Sequence, residues 1–269
     1  MDMISLQHIH KNYGTHPVLE DVNLTVRKGE IYGLIGKNGA GKTTIFKVIL
    51  GLTEFEKGKL SIAGSQSPSA LLQNRKKIGF FIGKNFFDYL TARENLEYYR
   101  KMKGISDKEE VDRVLQMVGL QNTTAKFSSF SMGMKQRLGI ANAMLGSPEI
   151  LILDEPVNGL DPQGIADIRQ LILKLNQEYG TTVIVSSHIL NELEHTATRF
   201  GIIDHGRVLR EITRKDLMVH NDKIQLRVND YERAKQLLME HHISILQASS
   251  EYKSLEDYYF ELVGGDIHE

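Results

Sequence analysis

The chain has 269 residues, a formal net charge of −1 at pH 7 and no cysteine. The near-zero charge argues against non-specific binding to nucleic acid, which needs a basic surface to replace counterions. Without cysteine the chain can form neither a disulfide framework nor a thiolate metal site. A hydrophobic content of 41% and a charged content of 25% are typical of a globular protein, and the length suffices for one large or two unequal domains.

The sequence contains no evident targeting segment or membrane span. The first residues, Met-Asp-Met-Ile-Ser-Leu, lack the basic and apolar regions of a signal peptide. No apolar run approaches the roughly 20 residues that a membrane-spanning helix needs. We therefore expect a soluble, cytoplasmic chain.

The chain begins with two predicted strands, because apolar residues alternate over residues 6–10 and 22–26. Tyr13 is expected in the polar turn between them, within Lys-Asn-Tyr-Gly. A single aromatic residue in a loop often serves packing, but an exposed ring is also a surface on which adenine can stack. Both interpretations of Tyr13 are open at this point.

A glycine-rich segment follows, with the spacing G-x-x-x-x-G-K-[ST] on Gly36, Gly41, Lys42 and Thr43. It lies between a predicted strand over residues 31–35 and a predicted helix over residues 42–50, the context that a phosphate-binding loop requires. Glycines let backbone N–H groups approach phosphate oxygens, and the helix N-terminus adds partial positive charge. In such a loop Lys42 reaches the β- and γ-phosphates and the Thr43 hydroxyl ligates magnesium.

An unusual density of aromatic residues comes after the next predicted elements, a strand over 59–62, a short helix or turn over 70–77 and a strand over 78–82. The aromatic residues are Phe80, Phe81, Phe86, Phe87 and Tyr89. We expect Phe80 and Phe81 to pack in the core. The other three follow Gly83 in an apparent loop, where an exposed apolar cluster suits contact with another protein.

Three helices are predicted next. Thr-Ala-Arg-Glu from Thr91 is typical of a capping box opening a helix to residue 103, and Ser-Asp-Lys-Glu from Ser106 is expected to open another to residue 118. We expect these two helices to form an inserted layer outside the parallel sheet. Ser131 is a predicted N-cap of a helix that continues to residue 145. It is either an ordinary cap or, with Gly133, a second phosphate site at a helix N-terminus.

Polar residues end two predicted buried strands. The apolar run over residues 150–153 is followed by Asp154 and Glu155, at the strand end where open α/β sheets bind ligands. Asp154 is expected to hold magnesium through water, and Glu155, pointing the other way, to polarise an attacking water. A strand over residues 182–186 ends in Ser-His. A histidine at a strand end is often structural, but the other polar strand ends of the same sheet favour a functional His188.

The remaining elements suggest a main domain and a small appended one. A turn at residues 158–162 leads to a predicted helix over 163–179, and strands over 199–204 and 206–210 follow. From about residue 216 the pattern becomes β-α-β-α, over 224–228, 231–241, 243–247 and 254–263. We predict a main domain over residues 1–215 and a C-terminal α/β extension over residues 216–269, in which we identify no chemistry.

In order and spacing these elements resemble the ATP-binding cassette (ABC) family over roughly residues 3–212. The resemblance implies an α/β P-loop NTPase fold with a mixed sheet and a helical subdomain inserted at about residues 88–147. It implies the Walker A motif at residues 36–44, the signature motif at 130–138, Walker B at 150–155 and the D-loop at 158–161.

The resemblance also implies roles for individual residues. Glu155 is the general base, His188 the switch histidine and Tyr13 the adenine-stacking aromatic. The implied catalytic residues are Glu155, His188 and Lys42, and the implied metal ligands are Thr43 and Asp154. The implied nucleotide-binding residues are Tyr13, Gly36, Asn38, Gly39, Ala40, Gly41, Lys42, Thr43, Thr44, Ser131, Gly133 and Asp161.

Three segments narrow the resemblance to separately encoded ATPases of bacterial exporters, including bacitracin-resistance and lantibiotic-immunity transporters. They are Phe-Ser-Met-Gly-Met-Lys-Gln-Arg-Leu-Gly from residue 130, Asn-Gly-Leu-Asp-Pro from residue 158 and Ser-Leu-Glu-Asp-Tyr-Tyr-Phe-Glu-Leu from residue 254. ATP and Mg²⁺ are the implied cofactors. A separate transmembrane permease is the implied partner, which would hold the chain at the inner face of the cell membrane. No nucleic-acid partner is expected.

A head-to-tail homodimer formed on ATP binding is the expected working state. Each chain has two helix N-termini that could stabilise a phosphate, at Lys42 and at Ser131. One γ-phosphate can be stabilised by both only if the second helix comes from another copy of the chain, across a dimer interface.

Some positions depart from the family pattern. Lys37 stands where proline is common, and Met132 and Met134 replace the glycine and glutamine of the Leu-Ser-Gly-Gly-Gln form. Gly83 stands where the family places a glutamine or glutamate that contacts magnesium and relays the nucleotide state. Either Lys84 or Asn85 substitutes for that residue, or hydrolysis is slow. Gly83 therefore motivates one alternative, a hydrolytically weak nucleotide sensor. Another alternative is a soluble cassette protein that acts on ribosomes or DNA, but such proteins usually carry two cassettes or a long charged or coiled-coil insertion, and this sequence shows neither.

Overall fold

The computed structural model describes residues 1–83, 86–218, 228–241, 243 and 245. The chain divides into two compact units, Met1–Leu217 and Met218–Glu269. The predicted strands over 224–228 and 243–247 and the predicted helix over 254–263 lie outside the described residues, apart from residues 228, 243 and 245.

The strands of the first unit form two sheets. They are β1 (Asp2–Tyr13), β2 (His16–Arg27), β3 (Ile31–Ile35), β4 (Lys57–Ile62), β5 (Ile78–Phe81), β6 (Ile150–Leu153), β7 (Thr182–Ser187), β8 (Arg199–Asp204) and β9 (Arg207–Thr213). A three-stranded antiparallel sheet has the order β2-β1-β4, and a six-stranded sheet has the order β5-β6-β7-β3-β8-β9. In the larger sheet β9 is antiparallel to β8 and the other neighbouring pairs are parallel. The predicted α/β fold with a mixed sheet is confirmed.

Most of the helices belong to the first unit, and the last of them belongs to the second. They are α1 (Lys42–Leu50), α2 (Pro68–Arg75), α3 (Ala92–Met102), α4 (Glu109–Met117), α5 (Met132–Met144), α6 (Pro162–Gln177), α7 (Leu190–Glu194), α8 (Arg214–Met218) and α9 (Tyr231–Glu240). Between β5 and β6 the chain forms α3, α4 and α5, which pack on one another. Across the residues that the structure describes, no helix is both long and apolar enough to cross a bilayer.

Two apolar cores cover the larger sheet. Leu151 and Leu153 of β6 belong to a core shared with α3, α4, α5 and α6. Ile150 and Ile152 belong to a second core, shared with α1 and the three-stranded sheet. A strand covered on both faces has no solvent-facing positions, which explains why β6 is a continuous apolar run.

The ends of three central strands meet at one place. β7 pairs in parallel with both β3 and β6, so that Ser187 is level with Ile35 and Val185 is level with Leu153. The segments that follow these strands therefore emerge side by side. They are the glycine-rich loop, the acidic pair and the turn that contains His188.

The first hairpin is longer than predicted. β1 and β2 continue to a two-residue turn, with Tyr13 paired to His16. Tyr13 is thus the last residue of β1 and not part of a polar turn. The pairing register shifts between Leu6 and Ile9, where His8 has a φ of 53°. Such bulges interrupt the alternation on which the prediction depended.

Two predicted helix caps are confirmed. The Thr91 side chain accepts a hydrogen bond from Glu94 N–H, and the Glu94 carboxylate accepts one from Thr91 N–H at 2.8 Å, which completes a capping box at the start of α3. Ser131 Oγ accepts a hydrogen bond from Met134 N–H at 3.3 Å at the start of α5.

The cap predicted at Ser106 is wrong. In the described structure the N-cap of α4 is Lys108, which makes no side-chain capping bond. Asp107 Oδ1 instead accepts a hydrogen bond from Glu109 N–H at 2.9 Å. The first turn of α4 contains Glu109, Glu110 and Asp112, whose negative charges suit the helix N-terminus.

Helix α5 approaches β5 very closely. A Cβ atom at Gly79 would lie closer than 3.0 Å to the carbonyl oxygen of Ala143, and one at Gly139 would lie closer than 3.0 Å to the Phe81 ring. Glycine at both positions therefore allows this contact, which fixes the position of α5 on the sheet.

We expect Thr91→Ala to lower the free energy of unfolding by about 1 kcal/mol, because the first turn of α3 loses its capping oxygen. Thr91→Ser keeps that oxygen and is the matched control, with stability close to that of the native chain. Urea denaturation followed by circular dichroism measures both variants. Equal losses for alanine and serine would contradict a stabilising role for the capping bond.

Candidate functional site

The glycine-rich loop connects β3 to α1 and turns the start of the helix toward a cleft. Gly39 and Gly41 have φ values of 82° and 108°, a backbone region that glycine adopts without strain. The N-cap of α1 is Gly41, so no side chain of the described structure caps its first turn, and that turn contains no acidic residue. The exposed N–H groups and the helix dipole therefore favour an anion at this position.

The Lys42 ammonium is the central charge of the site. Lys42 is only 5% exposed. Its Nζ donates hydrogen bonds to the carbonyl oxygens of Gly36 at 2.6 Å and Lys37 at 3.1 Å. It also lies 3.1 Å from Glu155 Oε1. A buried ammonium needs such acceptors, because it has lost the stabilisation that water gives to a charge.

Asp154 lies between the glycine-rich loop and β7. Thr43 Oγ1 donates a hydrogen bond to Asp154 Oδ2 at 2.6 Å, and Ser186 Oγ donates one to Asp154 Oδ1 at 2.7 Å. Both carboxylate oxygens are therefore oriented by hydroxyl groups from neighbouring segments.

Glu155 contacts three polar side chains from different segments. Its Oε1 lies near Lys42, as described above, and its Oε2 lies 3.1 Å from His188 Nδ1. Asn158 Nδ2 donates a hydrogen bond to the same Oε2 at 3.3 Å. Glu155 also has a φ of 49°, an uncommon value for a residue other than glycine, and its N–H donates to Ser186 Oγ at 2.9 Å.

Ser186 and Asn158 are two site residues that the sequence motifs do not predict. Ser186 is completely buried near the end of β7, and its hydroxyl contacts both members of the acidic pair. The only sequence signal was a run of two serines at the end of an otherwise apolar strand. Asn158 was part of the predicted D-loop but received no separate role.

An open cleft of ≈ 260 Å³ lies over these groups. Its lining residues are Val18, Asn38, Gly39, Gly41, Lys42, Thr43, Thr44 and Glu155. Ala40 is buried behind the loop, where its carbonyl oxygen accepts a hydrogen bond from Gly206 N–H at 3.0 Å. The cleft therefore combines the predicted loop with one predicted carboxylate and a residue of β2.

Six residues predicted to bind nucleotide do not line this cleft. Gly36 and Ala40 belong to the glycine-rich loop itself, and the other four lie elsewhere in the chain. Tyr13 is 47% exposed at the end of β1, with the Lys11 ammonium 5.2 Å from its ring centre. Ser131 and Gly133 lie in the first turn of α5, and Asp161 Oδ1 caps α6 by accepting a hydrogen bond from Gly164 N–H at 2.9 Å. Within one chain, the start of α5 is therefore not part of the cleft.

The aromatic segment differs from the prediction. Phe80 is 40% exposed instead of buried. Phe86 packs against the core, with its ring 5.2 Å from that of Phe127, and so is not an exposed contact residue. Phe87 lies 4.9 Å from the Tyr98 ring and 5.8 Å from the Tyr89 ring. We call Phe87, Tyr89 and Tyr98 the aromatic patch.

Gly83 has a φ of 74°, in the left-handed region where other residues are strained. A Cβ atom there would meet no described atom within 4 Å, so the backbone conformation and not crowding favours glycine. The predicted substitutes, Lys84 and Asn85, lie outside the described residues.

Comparison with known proteins identifies the family. The sequence model of the ABC transporter family matches residues 19–158. The chain is 39% identical to the bacitracin transport ATP-binding protein BcrA of Bacillus licheniformis, with 98% of each chain covered. It is 40% identical to the lantibiotic transport ATP-binding protein SrtF of Streptococcus pyogenes, with 78% of this chain and 90% of the relative covered.

A solved structure agrees with these relatives. The ATP-binding cassette MJ0796, in a dimeric post-hydrolysis state bound to ADP and Pi, matches with a TM-score of 0.70 and 30% identity. The match covers 79% of this chain and 99% of that one. The alternatives of a ribosome- or DNA-acting protein and of a weak nucleotide sensor are not favoured by these comparisons. The chain belongs to the ABC transporter family and is a nucleotide-binding ATPase subunit of that family.

Proposed function

We propose that this chain hydrolyses ATP to drive an exporter of the type that gives resistance or immunity to antimicrobial peptides or drugs. The observation that carries the catalytic assignment is the contact of one carboxylate, Glu155, with both Lys42 and His188 beside the phosphate loop. The bacitracin and lantibiotic transport named for two relatives supports the exporter assignment.

The phosphates of ATP bind over the glycine-rich loop in this proposal. Backbone N–H groups of Asn38, Gly39, Gly41, Lys42, Thr43 and Thr44 surround them. Gly36 and Ala40 shape the loop instead, because their N–H groups donate to the carbonyl oxygens of Ser187 at 3.3 Å and Lys37 at 3.1 Å. Tyr13 stacks on adenine, which is supported by its exposed ring and by the position of Val18, on the paired strand, in the wall of the cleft.

Thr43 and Asp154 are the proposed ligands of Mg²⁺. Their oxygens lie 2.6 Å apart at the cleft, and a hydroxyl and a carboxylate are hard donors of the kind that Mg²⁺ prefers. Within the part of the chain that the structure describes, no three His, Cys, Asp or Glu side chains gather around a possible metal. A Mg²⁺ site that is completed by phosphate oxygens and water needs no such cluster. When bound, Mg²⁺ neutralises charge on the phosphates.

Hydrolysis follows from the surroundings of Glu155. Its carboxylate orients the attacking water and accepts a proton from it. Lys42 stabilises the negative charge that develops on the transferred phosphoryl group, and His188 interacts with the γ-phosphate. These three groups come from segments after three neighbouring strands, so their relative positions are set by the sheet.

We further propose that two copies form a head-to-tail dimer on binding ATP. Ser131 and Gly133 do not line the cleft of their own chain, yet Ser131 is exposed at the N-terminus of α5, which favours negative charge. In the dimer this helix start faces the γ-phosphate that is bound by the other copy. Asp161, also exposed, lies at the same interface.

The proposed partner is a separate transmembrane permease, and no nucleic acid takes part. The permease holds the chain at the cytoplasmic face of the membrane. Residues 1–215 form the nucleotide-binding domain, with the helical subdomain at about 88–147, and residues 216–269 form a small accessory domain.

The aromatic patch is the proposed docking site for the permease. Tyr89 is 66% exposed, and Tyr98 and Phe87 extend the apolar surface beside it. The loop that contains Phe87 and Tyr89 follows β5, whose last carbonyl, on Phe81, accepts a hydrogen bond from Asp154 N–H at 3.0 Å. Phe87 and Tyr89 of the aromatic patch are therefore only a few residues along the chain from Phe81, whose carbonyl is hydrogen-bonded to the proposed metal ligand Asp154.

Dimer formation is testable by sedimentation velocity with Glu155→Gln, which blocks hydrolysis and is expected to convert from monomer to dimer when Mg-ATP is added. Adding Ser131→Arg should abolish the dimer, because a bulky side chain then occupies the proposed interface. Ser67→Arg is the matched control, since Ser67 is the exposed N-cap serine of α2. A dimer that persists with Ser131→Arg, or that is lost equally with Ser67→Arg, would contradict the proposed composite site.

Docking is testable by retention of the solubilised permease on immobilised chain. We expect Tyr89→Ser to reduce retention at least about fivefold, because an exposed aromatic residue contributes strongly to a protein interface. Leu72→Ser, at a position that is 61% exposed on α2, is the control and should retain the permease normally. If both variants bind the permease as well as the native chain does, the patch is not the docking site.

A further inference from the structure

The buried Ser187 hydroxyl has no role in the mechanism above. Ser187 is the last residue of β7 and directly precedes His188. Its backbone carbonyl accepts a hydrogen bond from Gly36 N–H at 3.3 Å, at the start of the glycine-rich loop. Ser187 therefore lies between the phosphate loop and the histidine that contacts Glu155.

The Ser187 hydroxyl forms a bridge beneath His188. Ile189 N–H donates a hydrogen bond to Ser187 Oγ at 2.9 Å. Ser187 Oγ in turn donates to Glu192 Oε2 at 2.6 Å. The Ile189 carbonyl oxygen lies farther away, at 3.2 Å. A hydroxyl has a single proton to donate, and a carboxylate oxygen at a shorter distance is a stronger acceptor than a carbonyl oxygen. The Ser187 proton is therefore donated to Glu192.

This bridge restricts the backbone on both sides of His188. On one side, the sheet holds Ser187 through the pairing of β7 with β3. On the other side, the N–H of Ile189 is bound to the side chain of Ser187. These two restraints limit the orientation of the His188 side chain. In the observed orientation, His188 Nδ1 lies 3.1 Å from Glu155 Oε2.

Glu192 completes the bridge from within α7. The N-cap of α7 is Ile189, which makes no side-chain capping bond in the described structure. The first turn contains Glu192, whose carboxylate points back to Ser187. The short helix is thus joined to the end of β7 through one side-chain hydrogen bond, and His188 lies in the connection between them.

We propose that Ser187, with Glu192 as its acceptor, is a positioning residue that holds His188 against Glu155 for ATP hydrolysis. This inference rests on the role proposed for His188. Ser187 acts through His188 and does not itself contact the nucleotide. A small displacement of an active-site group lowers the turnover rate without preventing substrate binding.

The test compares Ser187→Thr with Ser187→Val. The two side chains have nearly the same shape, so any crowding by the added methyl group is common to both, and only threonine keeps the hydroxyl. Each substitution is made in the otherwise native chain and in His188→Ala. The measurements are kcat and KM for Mg-ATP with the purified full chain.

With His188 present, we expect the kcat of Ser187→Val to be about tenfold lower than that of Ser187→Thr, with similar KM values. With His188→Ala, threonine and valine should give the same kcat, because the residue through which Ser187 acts is gone. Equal kcat values with His188 present would overturn the proposal. So would a difference that persists undiminished in His188→Ala. The role of His188 itself is tested separately, by His188→Ala alone.

A second measurement does not require turnover. The His188 Hε1 resonance, assigned by its loss in His188→Ala, should shift on Glu155→Gln in the Ser187→Thr protein, because the imidazole is in contact with that carboxylate. In the Ser187→Val protein the same substitution should leave the resonance unchanged. Equal shifts in both proteins would show that the hydroxyl does not hold His188 in place, and would overturn the proposal.

Discussion

The structure around the cleft depends on one constraint, the solvation of the nearly buried Lys42 ammonium. Water cannot surround this charge, so oxygen atoms from the protein must do so. Two come from the glycine-rich loop and one from Glu155, the second residue after β6. These groups converge because β3 and β6 both pair in parallel with β7, so that β3 ends level with Ser187 and β6 ends level with Val185, two residues earlier. The parallel order of the central strands is therefore a requirement of the site as well as of the core.

Strand β7, which lies between β3 and β6, contributes two serines with different partners. Ser186 orients Asp154 and the backbone of Glu155, whereas Ser187 contacts the start of the phosphate loop and the turn after β7. Successive side chains of a strand point to opposite faces, so two adjacent residues can serve two segments without competing. Burial makes these hydroxyl bonds specific, because an unpaired polar group in this position would be costly.

The sequence predicted most of this arrangement from short-range signals. The strand at 31–35, the helix at 42–50, the cap at Ser131 and the acidic pair after β6 need only local patterns. The polar strand ends favoured a functional His188, and the family pattern added its specific role. Contacts between residues that are distant in the chain could not be predicted from such local patterns. The sequence did not indicate that Ser186 lies on Asp154, that Phe86 is covered by Phe127, or that bulges lengthen the first hairpin, because each depends on a partner distant in the chain or on a break in alternation.

The close contact of α5 with β5 has a consequence for how this protein can change over time. The Phe81 ring fills the space left by the missing side chain of Gly139, and the Phe81 carbonyl holds Asp154 N–H. A larger residue at 139 would thus push on a residue bonded to the proposed metal ligand. Lineages that acquire a side chain at 139 should therefore carry a smaller residue at 81 as well, and the two positions should vary as a pair among relatives.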